Sequence, residues 1–223
     1  MFVKICGITR EEDALLAVAL GADAVGFVFA PSTRQISVLR ARDIARRLPP
    51  EVLTVGVFRD EVPKRVVAIC YEAGLRAAQL HGRETVEQTR WVRARVPVVI
   101  KAFFAGDPRL DHADDYGADA IMVDSHAPGS GDVFDWSLAE GAPIGRRVVL
   151  AGGLTPSNVA DAVERVRPWG VDVSSGVESE PGRKDPMKLR DFIRAARAAE
   201  RRPYAGDEEH EPYNWEEDPA QWQ

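Results

Sequence analysis

Short β-favouring runs alternate along this chain with longer segments of helical periodicity, and the alternation repeats eight times. The predicted strands cover residues 2–6, 24–29, 53–58, 76–81, 97–102, 119–124, 147–151 and 170–174. Consecutive strands that are separated by helices pair in parallel. The sequence therefore predicts an α/β protein that is built on a parallel sheet.

The helix starts carry recognisable capping signals. Thr155-Pro156 and Asp185-Pro186 each place a capping side chain before a proline, which suits the first turn of a helix. Thr9 followed by Glu12 has the spacing of a capping box. Buried faces are predicted for Val159, Val163 and Val166, for Leu189, Phe192, Ile193 and Ala196, and for Cys70 with Val66, Ile69 and Ala73.

The number of strands favours a closed barrel. Eight strands in 223 residues fit a single (β/α)8 TIM barrel, with an open doubly wound sheet as the alternative. Glycine precedes a strand at Gly21, Gly74, Gly117 and Gly170, and two of these spacings are the same, 96 residues. Two similar half-barrels would leave such a period, although glycine at helix C-termini would also produce it.

Side-chain alternation predicts which residues face the barrel interior. Apolar residues of each strand suit the surrounding helices, so the charged and polar positions are assigned to the interior. Barrel enzymes of this architecture carry their chemistry at the C-terminal ends of the strands. The residues assigned to the interior are Lys4, Cys6, Gln79, His81, Lys101, Asp124, Asp172 and Ser174.

These side chains allow both chemical and structural roles. Cys6 and Asp124 lie on strands one and six, as a candidate base and acid, and Lys4 would favour the Cys6 thiolate. The structural alternative is that some of these groups neutralise each other. Lys4 with Asp172 is the expected pair, and Asp124 could instead be a partner of Lys4 or Lys101.

Two glycine-containing segments near the end of the chain have the features of an anion site. Residues 151–154 follow strand seven, and residues 174–178 follow strand eight. Glycines let backbone N–H groups approach a phosphate, and a short helix beginning after Gly176 would add its positive end. The sequence therefore predicts a phosphorylated small-molecule substrate, because loops seven and eight are the recurrent phosphate position of this fold.

The formal charge of −6 is concentrated at the C-terminus. Residues 201–223 contain two arginines against seven acidic residues and have no apolar face, so a disordered acidic tail is expected after a catalytic domain of residues 1–200. The remaining charge is too small to favour nucleic acid or a membrane surface as a partner. No stretch has the length of a membrane span or the pattern of a secretory signal, which favours the cytoplasm.

The chain resembles the phosphoribosylanthranilate isomerase family of tryptophan biosynthesis, from the first strand to about residue 200. The motifs that carry the resemblance are KICGIT at 4–9, GFVF at 26–29, QLHG at 79–82, FDW at 134–136, GGL at 152–154 and DVSSGVE at 172–178. The resemblance implies an Amadori rearrangement of N-(5-phosphoribosyl)anthranilate to 1-(2-carboxyphenylamino)-1-deoxyribulose 5-phosphate. It implies no metal and no organic cofactor, and a monomer or homodimer is expected.

The resemblance also implies roles for individual residues. Asp124 would protonate the ribose ring oxygen, and Cys6 would remove the proton from the ribose C2 carbon. Arg34 matches the family residue that faces the anthranilate carboxylate, which suits the fork of a guanidinium. The expected phosphate contacts are Gly153, Ser175 and Gly176, and the remaining substrate-binding candidates at the same rim are His81, Gly152 and Ser174.

Two features depart from the family pattern. Residues 129–133, GSGDV, replace a glycine-rich loop with lysine and threonine, and the acidic tail is an addition. The alternatives are another phosphosugar isomerase or epimerase on the same barrel, a lysine Schiff-base aldolase, and a non-catalytic barrel whose tail recruits a partner. His81 and His126 show no clustered metal-ligand spacing.

Overall fold

The computed structural model describes residues 1–124 and 146–200. Eight parallel strands form a closed barrel in chain order, and β1 pairs with β8 to complete it. The strands are β1 (Phe2–Ile5), β2 (Ala24–Val28), β3 (Leu53–Phe58), β4 (Ala77–Leu80), β5 (Val98–Phe104), β6 (Ala120–Asp124), β7 (Val148–Leu150) and β8 (Gly170–Val173). The predicted barrel is confirmed, and the open sheet is excluded.

Helices surround the barrel. They are α1 (Glu11–Ala19), α2 (Val38–Ala45), α3 (Pro63–Ala73), α4 (Val86–Arg93), α5 (Val159–Val166) and α6 (Pro186–Ala199). A 3-10 segment, Pro108–Tyr116, connects β5 to β6, and a small antiparallel hairpin of β9 (Glu178–Glu180) and β10 (Arg183–Lys184) precedes α6. None of the helices in the described ranges is long and apolar enough to cross a bilayer.

One of the three predicted helix caps, Asp185, is present. The Asp185 side chain caps α6 by accepting from the N–H groups of Met187 and Lys188. Thr9 does not cap α1; its hydroxyl donates to the Gly182 carbonyl at 2.6 Å, so this side chain fastens the first loop to the β9–β10 hairpin instead. After Thr155-Pro156 the chain makes a turn, and α5 starts only at Val159.

The buried residues form two separate layers. One lies between strands and helices and includes Val3, Ile5, Val171 and Val173. The other fills the barrel interior and includes Phe2, Leu53, Ile100 and Met122. Alternate strand residues belong to different layers, as the parallel barrel requires. The predicted buried position of Cys70 is confirmed as well.

The repeated glycines have more than one structural cause. Gly74 and Gly117 end their segments in the left-handed conformation, at φ of 67° and 63°, where a side chain would be strained. Gly170 instead begins β8, where an added Cβ would lie 2.8 Å from the ring and carbonyl of Phe2. Gly21 follows α1 in the same way, at φ of 97°, and the Ala22 N–H donates back to the Ala17 carbonyl. C-terminal capping therefore explains three of the four positions, and the half-barrel origin of the period stays a prediction.

Candidate active site

The C-terminal ends of four strands bring polar side chains to one rim of the barrel. Cys6, His81 and Ser174 directly follow β1, β4 and β8, and Asp124 is the last residue of β6. Their apolar neighbours Ile5, Leu80, Val123 and Val173 all belong to the outer layer between strands and helices. Alternation therefore turns the four polar residues toward the barrel axis, where a bound molecule would meet them.

Lys4 and Asp172 form an ion pair beneath this rim. Lys4 Nζ lies 2.7 Å from Asp172 Oδ1, and the Lys4 side chain is fully buried. The two residues are direct partners in the register of β1 and β8. Burial alone would lower the pKa of Lys4, but the charge and hydrogen bond of Asp172, together with those of Cys6, outweigh it and raise that pKa. The predicted pair is confirmed, and Lys4 is held as a cation.

The Cys6 thiol lies above this pair, in space that a glycine provides. A Cβ added to Gly26 on β2 would come within 2.9 Å of Cys6 Sγ and 3.2 Å of Lys4 Nζ. A side chain at position 26 would therefore displace the thiol or the ammonium group. The glycine of the GFVF motif keeps both groups at the base of the site.

Burial dominates the protonation of Cys6. The thiol is buried, which raises its pKa, and Asp172 raises it further, while the charges of Lys4 and Lys184 and a hydrogen bond from Lys4 lower it. The net shift is upward. The expectation that Lys4 favours the thiolate is correct in direction, but its effect is smaller than that of burial, so the resting group is a neutral thiol.

Asp124 pairs with His81 and not with either lysine. His81 Nε2 lies 2.9 Å from Asp124 Oδ2, with both side chains partly exposed at the rim. The other ring nitrogen, Nδ1, lies 2.8 Å from Nε2 of the buried Gln79. A chain of three side chains thus crosses from β4 to β6. Sequence reasoning placed all three residues inside the barrel but did not anticipate their order.

Arg34 lies in the loop after β2 and is clamped by a carboxylate. Its Nε and Nη2 donate to the two oxygens of Glu178 at 2.9 and 2.7 Å. Lys184 Nζ donates to Glu178 Oε1 at 2.9 Å and to the carbonyl oxygen of Ser174 at 3.0 Å. Burial would raise the pKa of Glu178, but the Arg34 hydrogen bond and the Lys184 charge outweigh it and lower that pKa. Glu178 is therefore ionised and orients Arg34.

Sequence reasoning quoted Glu178 only as part of a motif. Lys184, which lies on the next strand of the hairpin, was not singled out. The signal that could have identified Glu178 is charge: the loop that contains Arg34, residues 29–37, has no acidic residue, so this arginine needs a carboxylate from elsewhere in the chain. Distance along the chain hid this arrangement, because 144 residues separate Arg34 from Glu178.

The two glycine loops after β7 and β8 meet closely. A Cβ on Gly176 would overlap the carbonyl oxygen of Leu154, so only glycine allows this approach. Gly152 and Gly153 adopt φ of 85° and 65°, and Asn158 holds the loop by accepting from the Thr155 N–H at 2.7 Å and donating to the Gly153 carbonyl at 3.0 Å. The loops predicted to bind phosphate are thus neighbours at the same rim as Cys6.

The helix expected after Gly176 is absent. Ser175–Val177 form a single 3-10 turn, and the chain then enters β9. Glu178 is instead the first residue of an extended strand that returns at Gly182, and its carboxylate contacts Arg34 and Lys184. Anion binding at these loops would therefore depend on backbone N–H groups and side chains, without the dipole of a following helix.

The interior position predicted for Lys101 is wrong. Lys101 alternates with Ile100 and Ala102, which fill the barrel interior, so its side chain lies in the outer layer with Val99 and Phe103. Its Nζ pairs with Glu84 Oε2 at 2.9 Å and donates to backbone carbonyls, among them that of Gly82. A charged residue can occupy the outer layer when a buried carboxylate and free carbonyls surround it. The lysine considered for Schiff-base chemistry therefore faces away from the site.

Some expectations concern residues outside the described ranges. These are His126, the GSGDV segment at 129–133, the FDW motif at 134–136 and the acidic tail at 201–223. Within residues 1–124 and 146–200, no group of three metal-ligating side chains is close enough to hold an ion.

A cavity of about 630 Å³ lies beside His81, between the loops that follow β3, β4 and β5.

Comparison with known proteins adds an independent line of evidence. Residues 3–195 match the family model described as N-(5'phosphoribosyl)anthranilate (PRA) isomerase. The N-(5'-phosphoribosyl)anthranilate isomerase of Desulforudis audaxviator is 52% identical over 204 residues, which cover 88% of this chain and 98% of that protein.

Solved structures of phosphoribosyl anthranilate isomerases share the fold of this chain. The phosphoribosyl anthranilate isomerase of Thermus thermophilus has a TM-score of 0.82 and 46% identity, over 89% of this chain and 99% of its own. A phosphoribosyl anthranilate isomerase in complex with reduced 1-(o-carboxyphenylamino)-1-deoxyribulose 5-phosphate has a TM-score of 0.78 and 44% identity. Monomers generated from the dimeric enzyme of Thermotoga maritima have a TM-score of 0.78 and 43% identity. Each of the last two comparisons covers 89% of this chain and 99% of the other.

Proposed function

The chain belongs to the N-(5'-phosphoribosyl)anthranilate isomerase family and is an isomerase of tryptophan biosynthesis, and we propose that Cys6 and Asp124 carry out its proton transfers. The reaction converts N-(5-phosphoribosyl)anthranilate to 1-(2-carboxyphenylamino)-1-deoxyribulose 5-phosphate. The observation that carries the proposal is the shared rim: thiol, carboxylate, guanidinium and glycine loops all lie at the C-terminal ends of the strands.

Asp124 is the proposed general acid. Its carboxyl group gives a proton to the ribose ring oxygen as the C1–O bond breaks, and the ring opens to an iminium ion. The position of Asp124 at the end of β6, on the interior parity, supports this role. Its partner at 2.9 Å is an imidazole that can donate a hydrogen bond, rather than a lysine that would hold the carboxylate permanently charged.

Cys6 is the proposed base. Its sulfur takes the proton from the ribose C2 carbon, and the iminium ion becomes an enolamine that tautomerises to the ketone. Removal of this proton requires the thiolate, which burial disfavours in the free protein. Lys4 supplies the compensating charge, because its ammonium group is fully buried and is fixed by Asp172 beneath the thiol.

The two ends of the substrate would be held on either side of these groups. Arg34 presents its guanidinium to the anthranilate carboxylate, and the glycine loops present backbone N–H groups to the phosphate. Ser175 and Ser174 belong to the same phosphate loop, whose approach to Leu154 requires Gly176. The substrate is therefore a small phosphorylated molecule with a carboxylate at its other end.

The oligomeric state and the cellular location of the protein are separate questions from the chemistry of the site. A dimeric relative supports a homodimer as one possible assembly of this chain, with a monomer as the other. No described helix spans a membrane, and a cytoplasmic location remains the prediction from the sequence. Gel filtration with light scattering on the purified protein distinguishes monomer from dimer.

Activity measurements test the two proposed catalytic residues. The loss of fluorescence of freshly prepared phosphoribosylanthranilate is followed with the unsubstituted protein and with Cys6→Ala and Asp124→Asn. Each variant is expected to lose at least a hundredfold in kcat while far-ultraviolet circular dichroism stays unchanged, in keeping with the contribution of acid–base groups. Cys70→Ala is the matched control, since Cys70 is also buried but belongs to α3, where its sulfur faces the Ala77 carbonyl of β4. Near-normal turnover in either site variant removes that residue from the mechanism.

A further inference from the structure

Gln79 connects the His81–Asp124 pair to the barrel interior. It is 1% exposed, and its Nε2 lies 2.8 Å from His81 Nδ1 and 3.2 Å from Met122 Sδ. His81 Nε2 in turn lies 2.9 Å from Asp124 Oδ2. Four side chains from two strands thus form a continuous series that ends at the proposed general acid.

The sulfur of Met122 decides which end of the Gln79 amide faces the imidazole. A thioether has no hydrogen to donate and accepts only weakly, so it suits the amide NH₂ group and not the amide oxygen. The NH₂ group has two hydrogens, and the two acceptors within reach are Met122 Sδ and His81 Nδ1. The opposite end, Gln79 Oε1, is buried without a hydrogen-bond partner among the described residues.

An orphaned buried carbonyl is costly, because the hydrogen bonds that it loses to water are not replaced. The fold tolerates this cost in exchange for an N–H that points at His81 Nδ1. A ring nitrogen that accepts a hydrogen bond carries no proton, so the imidazole proton lies on Nε2 and is donated to Asp124.

We propose that Gln79 is a positioning residue that keeps His81 neutral, so that the proton used in catalysis resides on Asp124. The proposal rests on the role of Asp124 as the acid. A donating Asp124 needs one more proton than the resting pair of neutral imidazole and carboxylate contains. Two sites could take this proton, Asp124 itself and His81 Nδ1. The Gln79 N–H disfavours a proton on His81 Nδ1, because two hydrogen-bond donors would then face each other.

Among the described residues, charged groups near His81 come from the loops after β3, β4 and β5. Those that line the cavity beside the ring are Arg59 and Asp60 after β3, Arg83 after β4, and Asp107 and Arg109 after β5. Asp124 on β6 contacts the ring directly. Asp107 forms an ion pair with Arg109, and the Asp60 carboxylate accepts a hydrogen bond from the backbone N–H of Arg83. These contacts leave Gln79 as the partner of Nδ1 and Asp124 as the partner of Nε2.

Nuclear magnetic resonance reads the proton position directly. Long-range proton–nitrogen correlations of ¹⁵N-labelled protein report which ring nitrogen carries hydrogen, and His81→Asn identifies the His81 signals among the four histidines. The unsubstituted protein is expected to show the proton on Nε2. A proton on Nδ1 at neutral pH would overturn the proposal, whatever the activity of any variant.

Gln79→Glu replaces the donor with an acceptor of nearly the same shape. The new carboxylate accepts from a protonated Nδ1, so the midpoint of His81 protonation is expected to rise by at least one pH unit. The value of kcat should fall at least tenfold, with KM within twofold, because the proton moves from Asp124 to His81. An unchanged midpoint would contradict the proposal. A raised midpoint with unchanged kcat would contradict it too, by separating His81 from the chemistry.

Met122→Leu tests the same point without altering Gln79. It removes the sulfur that orients the amide while nearly conserving volume, and both His81 tautomers should then be detected. Ile100→Val is the matched control, because Ile100 lies directly beside Gln79 in the register of β4 and β5 but contributes no polar atom. In Ile100→Val, the imidazole proton of His81 should remain on Nε2. A single unchanged tautomer in Met122→Leu would show that the orientation of the Gln79 amide does not depend on the sulfur, and would overturn this basis of the proposal.

The variant Asp124→Asn distinguishes this proposal from the proposed function. If Asp124→Asn kept its activity, the catalytic role of Asp124 would be refuted, but the tautomer result would still stand.

Discussion

Arg34 donates to both carboxylate oxygens of Glu178, at 2.9 and 2.7 Å, and this fork fixes the guanidinium at the edge of the site. The two residues come from opposite ends of the chain, in the loop after β2 and at the start of the β9–β10 hairpin. Lys184 neutralises the same carboxylate from the hairpin's second strand. The cluster of Arg34, Lys184 and Glu178 keeps a net positive charge, which suits the proposed contact with the substrate's carboxylate.

Glu178→Gln should therefore weaken substrate binding. The amide retains one acceptor for Arg34 but cannot bind both Nε and Nη2, so the guanidinium loses its fixed orientation. We expect KM to rise about tenfold, the equivalent of one charge-assisted hydrogen bond, with kcat within twofold. Steady-state kinetics measures both parameters. A lower KM would instead show that the Glu178 charge competes with the substrate carboxylate.

The control for this variant lies on the same hairpin. Glu180→Gln removes a carboxylate whose side chain is 64% exposed and whose partner, Arg183, is 3.3 Å away. A surface pair of this kind contributes little. The kinetic constants of Glu180→Gln should equal those of the unsubstituted protein.

Gly176→Ala should damage the loops that are proposed to bind the phosphate. The added methyl group overlaps the Leu154 carbonyl oxygen, so the loops after β7 and β8 must separate. We expect KM to rise at least tenfold and the stability to fall by about 1–3 kcal/mol, as in other overpacked sites. Kinetics and urea unfolding measure the two effects. Gly74→Ala is the control: it introduces strain at φ of 67° without any contact within 4 Å, so it should lower stability by about 1 kcal/mol and leave KM unchanged.

Periodicity predicts the barrel because the signal is local. Each strand alternates apolar residues that suit two different layers, and the observed strand ends lie within two residues of the predicted ones. The same alternation placed Lys4 correctly, since its neighbours Val3 and Ile5 belong to the outer layer. It failed at Lys101, because residues on both faces of β5 are apolar and the pattern does not choose between them.

The site contacts depend on information that periodicity lacks. Glu84 became the partner of Lys101, and Glu178 the partner of Arg34, only because the closed barrel brings their loops together. The orientation of Gln79 depends on a sulfur 43 residues away. Position at a strand end could be predicted, but hydrogen-bond partners required the three-dimensional structure.

Lys101→Met should destabilise the barrel strongly. Lys101 and Glu84 are a fully buried pair, and removing the ammonium leaves the Glu84 carboxylate without its counterion. Breaking such a pair costs about 3–5 kcal/mol. Urea unfolding of Lys101→Met, Glu84→Gln and the double variant gives the coupling energy, and additive single effects would contradict the pairing. Arg65→Met is the control, because its pair with Glu61 on the helix surface is exposed and should contribute less than about 0.5 kcal/mol.

Cys70 should make the fold less stable in alkali. Burial raises the pKa of its thiol to about 12, from 9.0 in an exposed thiol. Below pH 9 both states keep the proton, but between pH 9 and 12 the unfolded chain loses it while the folded chain does not. The free energy of unfolding should therefore fall by about 1.4 kcal/mol per pH unit in this window. Urea unfolding at pH 8 and pH 10 measures the decline. Cys70→Ala should reduce the decline by that amount, and equal declines in both proteins would show that the thiol does not contribute.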